Sequence, residues 1–153
     1  MDISQDYEDL FKILNDYKIK YLVVGAYAVI FYSEPRYTKD IDIWIYPDVN
    51  DENNVYELLK EFGVPLKGLS PDDFKDKKMI FQIGVAPVRI DIIMDLPGVE
   101  FAVAWKNRKK SLYGKTPINI LGISELIQAK KKAARPQDNL DLDTLRRFGN
   151  KKR

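Results

Sequence analysis

Apolar residues recur at two different periods along this chain, and the switches between the periods divide it into elements. Tyr7, Leu10, Phe11, Leu14 and Tyr17 fall at helical spacing and predict an amphipathic helix over 5–17. Residues 20–24 form a short apolar strand that stops at Gly25, and 26–32 read as an apolar helix starting from that glycine turn and ended by Pro35. Over 39–46 the period becomes two, with Ile41, Ile43 and Ile45 on one face and Asp40, Asp42, Trp44 and Tyr46 on the other. A helix returns over 50–62. Asn50 is its expected N-cap, Asp51 and Glu52 suit its positive end, Val55, Leu58, Leu59 and Phe62 form its stripe, and Gly63 stops it. Residues 64–76, with Pro65, Gly68 and Pro71, read as an irregular connection.

Two strands, 78–84 and 88–94, joined through Val85, Ala86 and Pro87, predict an antiparallel hairpin. In the second, Ile90, Ile92 and Met94 share one face and Arg89, Asp91, Ile93 and Asp95 the other, so Asp91 is a carboxylate flanked by apolar residues on a strand. A short helix over 97–105 follows, then a basic stretch over 106–115 with Trp105 and Tyr113 interleaved, and a last strand over 116–121. The basic stretch reads either as a contact for single-stranded nucleic acid, through phosphate pairing and base stacking, or as a solvated loop. Helices over 123–134 and 138–148 are separated by Pro136. The second carries Asp138 and Asp141 at its start and Arg146 and Arg147 at its end, the sense the helix dipole favours. No internal repeat or low-complexity segment interrupts the pattern.

Composition narrows the chemistry. With 153 residues and 45% hydrophobic content, one domain is expected over 1–153, with a core over about 1–121 and C-terminal helices over about 122–149. The acidic first ten residues lack the layout of a secretory signal, and the longest apolar run, 21–32, is too short to span a bilayer, so the expectation is a cytoplasmic protein with no membrane partner. The absence of cysteine and histidine excludes disulfides, Cys/His zinc sites, cysteine nucleophiles and Ser-His triads, which leaves carboxylates, Lys, Arg, Ser, Thr or Tyr to carry any catalysis. The net charge of +2 hides an asymmetry. Residues 1–104 hold 11 Lys+Arg and 19 Asp+Glu, a net of −8, whereas 105–153 hold 14 and 4, a net of +10. The basic third either faces something anionic, a nucleoside triphosphate, RNA or the acidic part of the same chain, or is merely solvated charge.

The strand, glycine and helix start at Gly25 expose backbone N–H groups suited to phosphate, although an ordinary tight turn has the same sequence. Asp40 and Asp42 stand about 6.6 Å apart along their strand, so their carboxylates can converge on one or two hard cations. Adjacent acids on one strand face repel each other and are depleted from strands, so stability does not explain them. Arg36, Thr38, Lys39 and Arg89 flank the acids as candidate phosphate or substrate contacts. Lys130, Arg135 and Asp138, near the junction of the last helices, either reach the same cleft or pair with one another.

The segments VVGAYAV, RYTKDIDIWI and RIDIIMD together resemble the nucleotidyltransferase superfamily typified by DNA polymerase β, in its small stand-alone bacterial or archaeal form, and the ending ELIQAKKKAARPQDNLDLDTL is similar to the C-terminal helices of such members. The resemblance implies an α+β fold, a small mixed β-sheet covered by helices with a C-terminal helical pair. It implies that Gly25 and Ala26 lie in a phosphate-binding turn, that Asp40 and Asp42 hold two Mg²⁺ or Mn²⁺ ions, and that Asp91 completes the metal site near the acceptor. Ala26 departs from the family's usual Gly or Ser. The implied reaction moves an NMP from an NTP to a hydroxyl acceptor and releases pyrophosphate, in a setting that includes toxin–antitoxin and phage-defence pairs. RNA ends, protein hydroxyls, small antibiotics and sugars all suit as acceptors, and the basic third favours a nucleic acid or another anionic partner. The alternative is a catalytically silent nucleotide-, RNA- or protein-binding module of the same fold.

Overall fold

The computed structural model describes residues 5–33, 40–84 and 89–148, which form six helices and six strands. Helix α1 (Gln5–Asp16) buries Tyr7, Leu10, Phe11 and Leu14, the stripe that its spacing predicts. Strand β1 (Tyr21–Val24) is buried at every position and passes directly into α2 (Gly25–Phe31). Strand β2 (Asp40–Ile45) and helix α3 (Glu52–Phe62) follow. Strands β3 (Ile80–Ile83) and β4 (Arg89–Ile93) pair antiparallel, as expected, and the residues that join them lie outside the described ones. Helix α4 (Phe101–Lys106), the hairpin of β5 (Lys109–Tyr113) and β6 (Thr116–Ile120), and helices α5 (Ile123–Ala133) and α6 (Pro136–Phe148) complete the chain.

The six strands form one mixed sheet in the order β3-β4-β2-β1-β6-β5. Strand β1 runs antiparallel to β2 and parallel to β6, and β2 runs parallel to β4. The most apolar strands therefore hold the centre, and an antiparallel hairpin closes each edge. Ile41, Ile43 and Ile45 are fully buried on one face, together with Ile92 of β4. On the other face Trp44 is also fully buried, because Phe101 of α4 stands edge-on to it with ring centroids 5.0 Å apart. The polar face of β2 is thus open at its aspartates and covered two residues later. Among the described residues no helix is long and apolar enough to cross a membrane.

Several local expectations change. Asp51, not Asn50, caps α3: its carboxylate accepts the Asn53 backbone N–H at 2.7 Å. Asn50 instead staples the start of β1 to the end of β2, accepting the Lys20 N–H at 2.8 Å and donating to the carbonyls of Lys20 and Tyr46 at 2.9 and 3.0 Å. The 64–76 connection contains a 3₁₀ turn (Pro71–Lys75) that buries Phe74. Pro136 opens α6 as its first residue, where its missing N–H and fixed φ are harmless.

The largest correction concerns 106–115, which is neither a loop nor a stacking platform. Half of it is β5, paired residue by residue with β6 from Lys109↔Ile120 to Tyr113↔Thr116. Tyr113 lies in the core against Phe11 at 5.5 Å and Tyr27 at 5.9 Å, with no face free for a base. Trp105 stacks on Phe101, and the Arg108 guanidinium lies 4.0 Å over its ring.

Candidate active site

The site grows from the register of the sheet. Val24 stands opposite Asp42 in the antiparallel pair, Asp42 opposite Asp91 in the parallel pair, and Gln82 opposite Asp91 at the edge. Side chains directly across a ladder share a face. The Gly25 turn, Asp42, Asp91 and Gln82 therefore form a row across four strands, and Asp40, two residues before Asp42, joins the same face.

Gly25 is required by its surroundings. Its φ of +66° lies in the left-handed region, and a Cβ there would overlap the Asp42 carboxylate. The turn thus packs its bare backbone directly on an acid.

Burial pushes the Asp42 carboxyl up to about 6, with the charges of Asp91 and Asp40 and a hydrogen bond with Asp91 adding to the rise and Lys130 opposing it. Asp91 accepts Arg89 Nη2 on Oδ2 at 3.1 Å, while its Oδ1 is buried without a hydrogen-bond partner. Arg89 neutralises one corner of the cluster, and the rest remains crowded negative charge.

The opposite wall comes from the last two helices. Lys130 Nζ lies 3.0 Å from Asp141 and 3.3 Å from Asp138, and Asp138 is fully buried. Asp138 also accepts Arg135 Nε at 2.8 Å and the Arg135 backbone N–H at 3.0 Å. The Arg135 side chain leads in holding the Asp138 carboxyl down to about 2, with Lys130 assisting. Both readings of this trio hold: the residues pair with one another, and all three line the cleft.

That cleft has a volume of about 880 Å³. It brings together seven of the residues expected from sequence: Gly25, Ala26, Asp40, Asp42, Arg89, Asp91 and Lys130. Arg36, Thr38 and Lys39 lie outside the described residues. Sequence reasoning missed Gln82 and Asp141. The alternation of β3 places Gln82 beside Asp91 only once strand pairing is known, whereas the spacing of Asp141 from Asp138 was a usable signal of a shared helix face.

The donors fit a hard divalent cation of the Mg²⁺ kind: they are carboxylate oxygens with no imidazole or thiolate, and one is buried and unpartnered. Among the described residues no three carboxylates form a group able to hold an ion. An open pair or row is the arrangement expected where water and substrate phosphates fill most of the shell.

Solved structures place this fold among nucleotidyltransferases. The lincosamide antibiotic adenylyltransferase LnuA, bound to lincomycin, matches with a TM-score of 0.60 at 11% identity, over 97% of this chain and 99% of that one. A candidate nucleotidyltransferase from Thermotoga maritima, TM1012, matches with a TM-score of 0.57 at 19% identity, over 98% and 96%. The antibiotic-resistance factor ANT(2'')-Ia matches with a TM-score of 0.56 at 8% identity, over 96% and 84%. At these identities the likeness is one of fold. No curated protein matches the sequence. Residues 3–153 match the family described as "Nucleotidyl transferase of unknown function (DUF2204)", and the chain belongs to it.

Proposed function

We propose that this chain is a metal-dependent nucleotidyltransferase that moves an NMP from an NTP to a hydroxyl acceptor with release of pyrophosphate. The observation that carries the reading is the direct pairing of Asp42 with Asp91 on neighbouring parallel strands, beside Asp40, where burial first and then the charges of Asp91 and Asp40 raise the Asp42 carboxyl to about 6. A cluster that is unfavourable alone becomes favourable when cations join it.

In this reading Asp40, Asp42 and Asp91 would hold two Mg²⁺ or Mn²⁺ ions. Such ions, when bound, stabilise the attacking and leaving oxygens of an in-line displacement at phosphorus. The bare turn at Gly25 and Ala26 lets the triphosphate approach the backbone closely, without the hydroxyl that a serine at 26 would add. Arg89 fixes Asp91 through Oδ2, and the Asp91 carboxylate receives the proton of the acceptor hydroxyl. Lys130, held by Asp138 and Asp141, directs positive charge toward the donor end of the cleft. Arg36, Thr38 and Lys39 are assigned to phosphate by their place before Asp40.

Pyrophosphate release from each NTP, assayed with Mg²⁺ or Mn²⁺ and pools of cellular RNA, protein and small metabolites, tests the reaction. Release is expected with at least one NTP and one pool, and its loss is expected on chelation and in Asp91→Asn. Nucleotide binding without release from any combination would favour the silent binding module.

A further inference from the structure

The cleft has two unlike ends, and the second speaks to the acceptor. Across the carboxylate row, the Gly25 turn lies on the β1 side, so the triphosphate belongs there. The acceptor must then approach from the β4 and β3 side, where Asp91 lines the cleft.

That side is apolar. Ile80 stands opposite Ile93 on the same face as Asp91 and Gln82, and Ile80, Ile93, Leu96 and Pro97 all line the cleft. Ile80 is 64% exposed on an edge strand, where an apolar side chain adds little to folding. Gln82 beside it offers an amide that can both donate and accept.

Charge points the same way. Among the described residues of the cleft, Arg89 is tied to Asp91 and Lys130 and Arg135 are tied to Asp138, which leaves the exposed Lys132 at the rim beside Gly98 as a single cation, too few to track a polyanion. The basic strand β5, which in the sequence favours a polyanionic partner, lies at the opposite edge of the sheet from β3. A nucleic-acid strand feeding a hydroxyl to Asp91 would cross an isoleucine shelf and meet none of the Lys109–Lys110 charge.

We infer, on the basis of the nucleotidyltransferase reading, that the acceptor is a small hydroxyl compound with an apolar face, such as an aryl or alkyl glycoside, and not a nucleic acid. Ile80, Ile93 and Leu96 take its apolar face, and Gln82 bonds a neighbouring hydroxyl. In the transfer the acceptor oxygen bonds the α-phosphorus and the α–β bridging P–O bond breaks. Pyrophosphate leaves with that electron pair, and the hydroxyl proton passes to Asp91.

Saturation-transfer NMR on the full chain with Mg²⁺ and α,β-methylene-ATP, using phenyl β-D-glucoside as probe, tests the inference. Binding is expected, with the strongest transfer to the aryl protons. Ile80→Lys should weaken it at least roughly tenfold, the scale of losing an apolar contact and adding an unpaired charge, while Ile80→Leu retains it and both variants bind α,β-methylene-ATP like the parent. A twelve-residue oligouridylate should not displace the glucoside. The inference is overturned if the glucoside does not bind the nucleotide-loaded protein, if Ile80→Lys binds it undiminished, or if oligouridylate displaces it. Failure of α,β-methylene-ATP itself to bind contradicts the nucleotidyltransferase reading instead.

Discussion

Free of divalent cations at pH 7.5, Asp42→Asn is expected to be more stable than the parent protein by about 2 kcal/mol, and with Mg²⁺ supplied it is expected to transfer nucleotide more slowly than the parent by a factor on the order of 10³ or more. The stability half follows from the sign of the Asp42 shift. Its carboxyl is raised from 3.8 in a free chain to about 6 in the fold, so the folded state holds that proton more tightly than the unfolded state does. Ionisation of Asp42 therefore opposes folding. The penalty is full above pH 6, shrinks as pH falls through 6, and is gone below about 4. Asparagine keeps the shape and removes the charge, so the gap between variant and parent should close on acidification. The activity half follows if the same carboxylate holds a cation. Mg²⁺ with α,β-methylene-ATP should then raise the melting temperature of the parent and leave the variant nearly unmoved. Thermal melts between pH 4.5 and 8 with and without Mg²⁺, alongside pyrophosphate release, check both halves. Equal stability of the two proteins at pH 7.5, or transfer retained in the variant, contradicts the assignment.

Gly25→Ala should lose about 2–4 kcal/mol of stability and most of the activity together. Two costs combine at this position: alanine is strained at φ +66°, and its methyl would overlap the Asp42 carboxylate. The second cost falls on the site itself, because either the turn or the acid must move. Gly63→Ala separates the two. Gly63 also has positive φ, at +96°, but a Cβ there meets nothing within 4 Å, so only the backbone strain of about 1 kcal/mol applies and transfer should be unchanged. Urea midpoints and transfer rates for both variants decide the matter. If Gly25→Ala behaves like Gly63→Ala, contact with Asp42 has no consequence.

The parts of the site that could be read in the chain were those set by local periodicity. Alternation over 39–46 places Asp40 and Asp42 on one face, and alternation over 88–94 places Asp91 on the face opposite Ile90 and Ile92; both arrangements need only the pleat of a strand. What brings the two strands together is a parallel pairing between segments about fifty residues apart, and no local pattern encodes the register that sets Asp42 against Asp91. The basic stretch misled for a related reason. Lys106, Arg108, Lys109, Lys110 and Lys115 mask a period-two strand whose inward positions end at Tyr113, and the charge sum over 105–153 says nothing of which sheet edge it occupies. Lys130 shows a third limit. Its place near the junction of the last helices leaves open whether it reaches the cleft, and only the packing of α5 on α6 supplies the two carboxylates that hold it. At the cap of α3, Asn50 and Asp51 are equally good by residue type, and the demand of β1 and β2 for a staple decided between them.

Manganese titration followed by electron paramagnetic resonance reads the carboxylate row directly, independent of any acceptor. With α,β-methylene-ATP present, the parent protein is expected to bind two Mn²⁺ ions per chain, and Asp42→Asn and Asp91→Asn should each lose at least one. No Mn²⁺ bound by the parent, or undiminished binding in both variants, would contradict a metal-holding role for the paired aspartates.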